Sequence, residues 1–356
     1  DAVVNFDARI GMNQKAVPNY DMTETPGEYY EAYYSQLNNY YQNGMGYDAI
    51  QANLAANQQM MNQLGYNVYT VPEGEFLIGT NGKLNPNATL GRAYKASDGY
   101  TYYLQPDDWE KTAYKNALRQ EYNMSITGGT DRASFYSSLG YLDEDGIIEY
   151  SGYKRFSARI KADYQAKKWL KVGANVGFVN SHTDSNPGFT NGSWGSTNLL
   201  YYTQMIAPIY PVYVRVLDAN GNPVVKTDAN GNPQYDYGVA ATNYPGLNRA
   251  FLQTGNPIGS NHYNTHYTIG NQLNGSFNAT FDITDFLRVN AVSTITWGNT
   301  MYHHYDNALY GPKVSIRGEL KKYQNNNLRQ NHLQTINYYD TFGKHSIDVL
   351  AGHEYY

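Results

Sequence analysis

The sequence predicts an all-β fold: part of an antiparallel transmembrane β-barrel of about nine strands, with long extracellular loops that contain short helices. Three observations predict it. Apolar and polar residues alternate along several segments that reach the roughly 9–11 residues a strand needs to cross a bilayer. Short turns and long loops follow each other along the chain, and a soluble meander has no physical reason to sort its connections by length. Aromatic residues form two groups, as the two interfaces of a bilayer favour. Trp169, Phe286 and Phe342 lie beside short turns, and Tyr141, Phe156, Phe178 and Trp297 lie at the opposite strand ends.

The first strand is predicted over residues 1–12, where Phe6 and Ile10 alternate with Asp7 and Arg9. A period of two places the apolar and polar sets on opposite faces of a sheet. We expect this strand to run outward across the membrane.

Residues 13–121 are predicted to form one very long extracellular loop that contains two helices. Thr25 followed by Pro26 is typical of a helix start, with an N-cap residue and proline at the first position. This helix is expected to reach about Asn43, and a second one is predicted over 48–65. Paired tyrosines are predicted to pack these helices together, with ligand or partner contact as the alternative. The pairs are Tyr29-Tyr30, Tyr33-Tyr34 and Tyr40-Tyr41.

Residues 122–184 are predicted to form a core of four consecutive antiparallel strands. The clearest alternation covers 122–127, 156–164 and 170–178. The connections are short turns at 128–132 and 166–169 and a longer loop at 143–153. Short turns at one end and a longer loop at the other indicate a barrel wall.

Residues 185–266 are predicted to form a second long extracellular loop. It contains the repeat Asp-Ala-Asn-Gly-Asn-Pro, which begins at Asp218 and again at Asp228. Asn-Gly is a strong turn signal, so two turns are predicted. Bound Ca²⁺ is the alternative, but glycine does not fall at the sixth position as it does in an EF-hand loop.

Residues 267–356 are predicted to add four further strands. The first two are clear from alternation over 273–283 and 287–297, joined by a short turn at Thr284-Asp285. A third long loop over about 298–331 is expected to precede a weaker strand over 333–342, and a turn at Gly343-Lys344 leads to the last strand. Residues 1–356 are thus predicted to belong to one barrel domain.

Composition excludes several classes of protein. The chain has 356 residues, a net charge of −5 and a pI near 5.9, so it carries no basic footprint for nucleic acid. It has no cysteine, which excludes disulfides and cysteine-based metal sites. No apolar run is long enough for a transmembrane helix, and no signal peptide is expected at the start.

No catalytic constellation is recognisable, so we expect no enzyme and no cofactor. His262 and His266 lie four residues apart, and His303-His304 precede Asp306, but these segments are not convincingly helical and no metal site is predicted. Packing inside the loops is the first expectation for the loop aromatics, and stacking on sugar faces is the alternative that makes them candidate substrate contacts. These residues are Trp109, Trp194, Tyr201, Tyr202, Tyr210 and Tyr213. Polar strand residues are predicted to line a hydrated lumen, where their default role is structural and opposite charges can pair with each other. These are Asn5, Asp7, Arg9, Arg159, Lys161, Asp163, Asn175, Asn278 and Arg288.

The four-strand core also carries a family resemblance. It contains SITGGTDRASFYSSLGYLDEDGIIEYSGYKRFSARIKADY, followed by WLKVGANVGF. A strand ending in GG, a strand ending in LGY, a D-G-I loop, an R-F-x-x-R strand and a W-L-K-V-G strand together resemble the TonB-dependent outer-membrane transporters of the SusC/RagA family. The resemblance implies a 22-stranded barrel. It also implies that the plug domain and the remaining strands are absent from this sequence.

The resemblance further implies active import of a nutrient, most often an oligosaccharide or other glycan and in some members an oligopeptide. TonB would act through the missing plug, and a SusD-like surface lipoprotein would form a lid over the extracellular opening. Outer-membrane lipid and lipopolysaccharide would surround the barrel, and barrel–lid pairs could form a dimer. The rival functions are a non-transporting adhesin or binding protein and an outer-membrane enzyme; a soluble β-sandwich is the rival fold.

Overall fold

The computed structural model describes residues 2–185, 198–239, 244–311 and 313–356. From the start of the chain the elements are β1 (Val3–Asn13), α1 (Pro26–Asn39), α2 (Ala49–Leu64), β2 (Tyr69–Thr70), β3 (Thr89–Leu90), β4 (Arg92–Lys95), β5 (Thr101–Leu104), α3 (Trp109–Ala113), β6 (Ala117–Thr130), β7 (Ala133–Asp145), β8 (Gly152–Lys167) and β9 (Leu170–Asp184). They continue with α4 (Leu199–Met205), β10 (Arg215–Leu217), β11 (Pro223–Val225), α5 (Pro257–Tyr263), β12 (Thr265–Thr284), β13 (Leu287–Asp306), β14 (Glu319–Phe342) and β15 (His345–Tyr355).

Nine strands form one antiparallel sheet in the order β1-β6-β7-β8-β9-β12-β13-β14-β15. We call this sheet the wall. Each wall strand pairs with the wall strands that come before and after it in the sequence, so the chain runs up and down without a crossover. The all-β prediction of about nine wall strands is confirmed. The two-residue turns of the wall all lie on one side, and the longer connections 14–116, 146–151, 185–264 and 307–318 lie on the other.

The pairing register gives the wall one apolar and one polar face. Directly opposite residues of an antiparallel pair share a face, and the register runs unbroken across the nine strands except at two bulges beside short turns. One row of the apolar face, for example, crosses four strands. It consists of Phe178, Leu273, Trp297 and Leu328.

An asparagine row lies directly above that apolar row, toward the long connections. Asn180 donates from Nδ2 to Asn271 Oδ1 at 2.8 Å, and Asn299 donates to Asn326 at 2.5 Å. All four residues are in register across the same four strands. The row therefore interrupts the apolar face with two hydrogen-bonded amide pairs.

Two wall strands are longer than the sequence indicates. β13 continues to Asp306 and β14 begins at Glu319, so the third long connection is only 307–318. The prediction of a loop over about 298–331 was wrong there. Polar residues occupy both faces of β14 between Lys321 and Gln334, which removes the alternation that marks a strand.

The long connections fold into a second body, which we call the loop layer. Thr25 caps α1, where its Oγ1 accepts from Glu28 N at 3.2 Å and Pro26 occupies the first turn. Asp48 caps α2 in the same way. After α1 a π-helical turn extends to Gly44, close to the predicted helix end. No helix in the described ranges is long and apolar enough to cross a membrane.

The hydrophobic core lies in the loop layer and not in the wall. Tyr30, Tyr34 and Met60 from the first long connection pack with Ile209 and Tyr210 from the second. The predicted packing of tyrosines between the helices is confirmed for Tyr30 and Tyr34, which are buried. The two long connections therefore form one folded unit, although β6 to β9 separate them in sequence.

The two Asp-Ala-Asn-Gly-Asn-Pro repeats form two matching turns. Asp218 Oδ1 accepts from the backbone N–H groups of Asn220 and Asn222 at 2.8 Å, and Asp228 repeats the arrangement. These carboxylates are occupied by the turns themselves. Within the described part of the chain, no group of three His, Cys, Asp or Glu residues could hold a metal ion.

Candidate binding cleft and the predicted site residues

A cleft of about 960 Å³ opens in the loop layer beside the end of β1. Three stretches line it: 15–29 from the segment that leaves β1, 106–114 around α3, and 203–208 at the end of α4. Short local signals place these stretches. Asp108 caps α3 through the N–H of Lys111 at 2.9 Å, so the α3 residues after it turn toward the cleft.

Four polar side chains form one side of the cleft. Glu110 Oε1 accepts from Lys15 Nζ at 2.6 Å, and Glu110 Oε2 accepts from the Asn19 amide. Asn19 Oδ1 in turn accepts from Gln204 Nε2 at 2.7 Å. The group joins all three lining stretches, so it fixes the shape of the cleft as well as its polarity.

This polar group contains one ion pair and one buried oxygen without a partner among the described residues. Burial opposes ionisation of Glu110, but the hydrogen bonds from Lys15 and Asn19 outweigh it and hold the pKa of the carboxyl below its ordinary value. Gln204 Oε1 is buried and accepts no hydrogen bond from any residue in the described ranges. An unpaired buried acceptor is energetically costly.

Apolar surface lies next to these four polar side chains. Tyr20 is 83% exposed and Met205 is 54% exposed, and both line the cleft. Ile206 and Pro208 extend this surface. A mouth with exposed aromatic and thioether groups beside a few polar groups is typical of a small-molecule or oligomer site.

Three of the predicted site aromatics are buried together instead of facing a ligand. Trp109, Tyr202 and Tyr210 are 3%, 0% and 0% exposed. Trp109 donates from Nε1 to the carbonyl of Tyr210 at 2.8 Å, and its ring lies 4.9 Å from that of Tyr202. Rings enclosed in this way present no free face for a sugar. Trp109 still borders the floor of the cleft.

A buried arginine explains why these rings converge. The guanidinium of Arg249 lies 5.7 Å from the Trp109 ring and 5.9 Å from the Tyr202 and Tyr210 rings. It bonds Tyr202 Oη and pairs through Nε with Asp236 Oδ2 at 3.3 Å, both partners of the pair being 0% exposed. Burial opposes the charge on Arg249, but the Asp236 carboxylate outweighs that effect and raises the pKa of the guanidinium.

The other predicted aromatics have different surroundings. Tyr213 is partly exposed and lies 5.1 Å from the Tyr235 ring, and its N–H donates to Asp107 Oδ2 at 3.2 Å. Tyr201 is also partly exposed, at the start of α4. Trp194 lies outside the described residues.

All nine residues predicted to line a lumen lie on the polar face of the wall. The register aligns Asp7 with Asn123, Lys161 with Asn175, and Asn278 with Gly173, so the nine share one side across the strands. Several of them pair along this face. Arg9 pairs with Asp7 at 2.9 Å, Arg159 donates to Asn175 at 2.8 Å, Lys161 lies 3.5 Å from Asp163, and Arg288 pairs with Asp282 at 2.6 Å.

Sequence reasoning missed the residues that shape the cleft. Lys15, Asn19 and Glu110 are scattered polar residues without a motif, and Arg249 follows an Asn in an irregular segment. Only the local signal at Asp108, a cap residue before a short helix, could have located one stretch of the cleft lining.

Comparisons with known proteins agree on one class. No family model matches the sequence. TonB-dependent receptor P3 of Formosa agariphila is 24% identical over 275 residues, which cover 75% of this chain and 24% of that receptor. TonB-dependent receptor SusC of Bacteroides thetaiotaomicron is 32% identical over 74 residues, which cover 20% of this chain and 7% of SusC. These relatives are receptors and not enzymes, as expected from the missing catalytic constellation.

A solved structure shares the fold. The RagAB peptide importer in its closed-closed state matches with a TM-score of 0.58 and 17% identity, covering 99% of this chain and 34% of that chain. The chain therefore spans about a third of the matched RagAB chain and a quarter or less of the two curated relatives. The chain is thus similar in sequence to parts of TonB-dependent receptors, and it shares its fold with part of the RagAB importer.

Proposed function

We propose that this chain supplies part of the barrel wall and the extracellular loop layer of a TonB-dependent outer-membrane importer. Transporters of this type are outer-membrane β-barrel proteins that import nutrients. The observation that carries the proposal is the wall itself. One face is apolar and suits lipid, the opposite face is polar and suits a hydrated lumen, and the long connections on one side fold into a layer with a cleft.

The nine polar-face residues would line the path of the substrate through the barrel. Most of their charges are paired along the face, as Arg288 is with Asp282 at 2.6 Å. A surface of paired charges and amides is hydrated without attracting one sign of ion strongly. This supports passage of a polar, largely uncharged nutrient.

The cleft would be the first contact of that nutrient with the chain. An oligosaccharide is the best match, because the exposed ring of Tyr20 can stack on a pyranose. Tyr201, Tyr213 and Trp194 remain candidates for further sugar contacts. An oligopeptide importer of the same family is the second candidate, supported by the Lys15–Glu110 pair, which could exchange partners with peptide termini.

A SusD-like lipoprotein would cover the loop layer, and TonB would act through a plug domain. Exposed apolar side chains on the α1–α2 hairpin support a protein partner above the loops. Tyr40 is 57% exposed, Met45 is 52% exposed and Ile50 is 78% exposed. Large exposed apolar groups on one protrusion are typical of an interaction site.

Uptake measured in the native cell tests the proposal. Labelled oligosaccharides from a polysaccharide digest and, separately, a labelled tryptic peptide mixture would be supplied to cells with and without functional TonB. We expect TonB-dependent uptake of the sugars. Uptake of peptides alone would select the second candidate, and TonB-independent binding without uptake of either would favour an adhesin. The intact detergent-extracted complex should also contain a surface lipoprotein.

A matched pair of variants tests the cleft. Glu110→Gln removes the charge that holds Lys15 at the side of the cleft, and we expect weaker uptake. Glu31→Gln removes an equivalent partner of Lys83, 2.8 Å away in a pair outside the cleft, and should leave uptake unchanged. Equal uptake by the two variants would exclude the cleft as the substrate contact.

A further inference from the structure

The segment between β1 and α1, residues 14–24, is held loosely, and we call it the strap. Within the described ranges, no backbone N–H or C=O group of the strap makes a hydrogen bond to another residue. The irregular stretch 75–88 has several such bonds, for example from Gly79 N to the carbonyl of Lys83 at 2.9 Å. Moving the strap therefore breaks no backbone hydrogen bond that the structure shows.

The apolar side chains of the strap also contribute little to holding it. Val17 is 72% exposed and Tyr20 is 83% exposed. Neither they nor Met22 belong to the two clusters of packed apolar side chains in the loop layer. A segment with few buried apolar contacts and no backbone hydrogen bonds opens at low cost in free energy.

Both ends of the strap are anchored. Asn13, the last residue of β1, pairs with Ala117 of β6, and its Nδ2 donates to Glu144 Oε1 at 2.7 Å. At the other end Thr25 caps α1, whose Tyr30 is buried in the core. The strap is therefore a loosely held span between two fixed points.

One group of side chains holds the middle of the strap, and we call this group the latch. Glu110 of α3 accepts from Lys15 Nζ at 2.6 Å and from the Asn19 amide, and Gln204 of α4 donates to Asn19 Oδ1 at 2.7 Å. Lys15 Nζ also lies 5.3 Å from the centre of the Tyr114 ring. Within the described part of the chain, every hydrogen bond from the strap to the remainder of the loop layer ends on Glu110 or Gln204. The Glu110 carboxylate binds both strap residues, so its charge is central to the latch.

The strap supplies part of the lining of the cleft, and another part of that lining is firmly held. Tyr20 and Met22 line the cleft from the strap. In the lining after α4, Ile206 N donates to the carbonyl of Tyr202 at 2.9 Å, and Ala207 is buried in the core. A cleft whose lining is anchored in one part and loose in another can close around a ligand by moving the loose part.

A bound oligomer would favour such a movement. A ligand shifts a conformational equilibrium only through contacts that differ between the two states. The ring of Tyr20 supplies such a contact, because it is 83% exposed while the latch is formed and most of its surface can still be buried on a ligand. A ligand hydroxyl can accept from Lys15 Nζ or donate to Glu110, and either exchange of partners weakens the latch.

We propose that the strap is a movable element of this chain, which the latch at Glu110 holds away from the cleft and which closes Tyr20 over a bound oligomer. The inference rests on the proposed function, which places a ligand in the cleft. It adds a step to that function, the release of the latch. This closure lies within the chain itself and is separate from any covering of the loop layer by a partner protein.

Distances between two spin labels test the strap without any ligand. Labels at Val17→Cys on the strap and Leu200→Cys on α4 are both at exposed positions, and the 356 residues contain no other cysteine to take up label. In the full detergent-extracted protein we expect one narrow distance while the latch is intact and a second, separate distance in Glu110→Gln. The matched control Glu31→Gln removes the partner of Lys83 outside the cleft and should keep the single distance. An unchanged single distance in Glu110→Gln would overturn the proposal.

The same labels report on the ligand. An oligosaccharide digest added to the protein with an intact latch should populate the second distance that Glu110→Gln shows. A digest that cells take up but that leaves the single distance unchanged would overturn the proposal.

A reversible tether provides a second readout. Asn19→Cys/Gln204→Cys, joined by a short bis-methanethiosulfonate linker, keeps the strap in its latched position. We expect TonB-dependent uptake to fall about tenfold with the linker in place and to recover when a reductant removes it. The two single-cysteine variants, treated identically, carry the substitutions without the tether and should match the reduced double variant.

Two results of the tether experiment would overturn the proposal. They are equal uptake by the linked and reduced double variant, and an equal loss in the single-cysteine variants. Absence of uptake by the unmodified protein would instead refute the proposed function. The ligand-free label distances decide separately whether the strap moves.

Discussion

Replacing Arg249 by methionine tests how far the loop layer depends on one buried ion pair. Arg249 and Asp236 are both 0% exposed, so the variant would leave the carboxylate buried without its counter-ion. Removing one partner of a buried pair costs about 3–5 kcal/mol. Asp236 keeps the Tyr66 hydroxyl at 3.0 Å and the Gly238 N–H at 2.9 Å as donors. We therefore expect the lower end of that range, about 3 kcal/mol of opening free energy.

Hydrogen exchange measures this loss, because it reports the opening of the loop layer separately from the wall. A change of about 3 kcal/mol corresponds to exchange on the order of a hundredfold faster in α4 and β10. Arg249→Met/Asp236→Asn should recover part of the protection, since the unpaired charge is gone. Lys83→Met breaks a solvent-exposed pair and should leave exchange unchanged. Unaltered protection in Arg249→Met would refute the reasoning.

Two further perturbations test the loop layer. The Glu110 carboxyl has a depressed pKa, so its contact with Lys15 should persist from neutral pH to below the ordinary value of 4.5 and be lost only as pH falls through the depressed pKa. Exchange in the segment after β1 across an acid titration would show this, and loss already at neutral pH would contradict it. Gly65→Ala should destabilise the end of α2 by more than about 1 kcal/mol, because φ is +74° and the added methyl collides with the carbonyl of Asn248. Gly74→Ala, at φ +83° in open space, shares the backbone strain without the collision, and equal effects would refute the collision.

The wall could be predicted because its rule is local. Alternation over 170–178 predicts both the strand and the face of the sheet on which each of its residues lies. The turn beside Trp169 predicts that this strand runs antiparallel to the one before it. The strand was predicted only from residue 333, whereas β14 begins at Glu319, because residues such as Gln330 and His332 make both its faces polar.

The cleft could not be predicted because it is formed by tertiary contacts between residues that are distant in sequence. Lys15, Glu110 and Gln204 meet across distances in sequence that no periodicity encodes. Trp109 and Tyr210 were candidates for ligand contact because their rings are large and amphipathic, but the same property favours packing in a core, which was the other prediction for them. Which outcome applies depends on whether a partner such as Arg249 is buried beside them, and sequence spacing does not show burial.

The shared core of the loop layer also dictates an order of assembly. Tyr30 and Tyr210 belong to one cluster, yet the strands β6 to β9 lie between them in the chain. Closing so long a segment is entropically unfavourable until something brings its ends together, and the hairpins of those strands do so. The wall hairpins must therefore pair first, and the loop layer condenses on them afterwards. A chain whose hairpins have paired but whose loop layer has not condensed would expose its tyrosine-rich loops, and such an intermediate would be prone to aggregate.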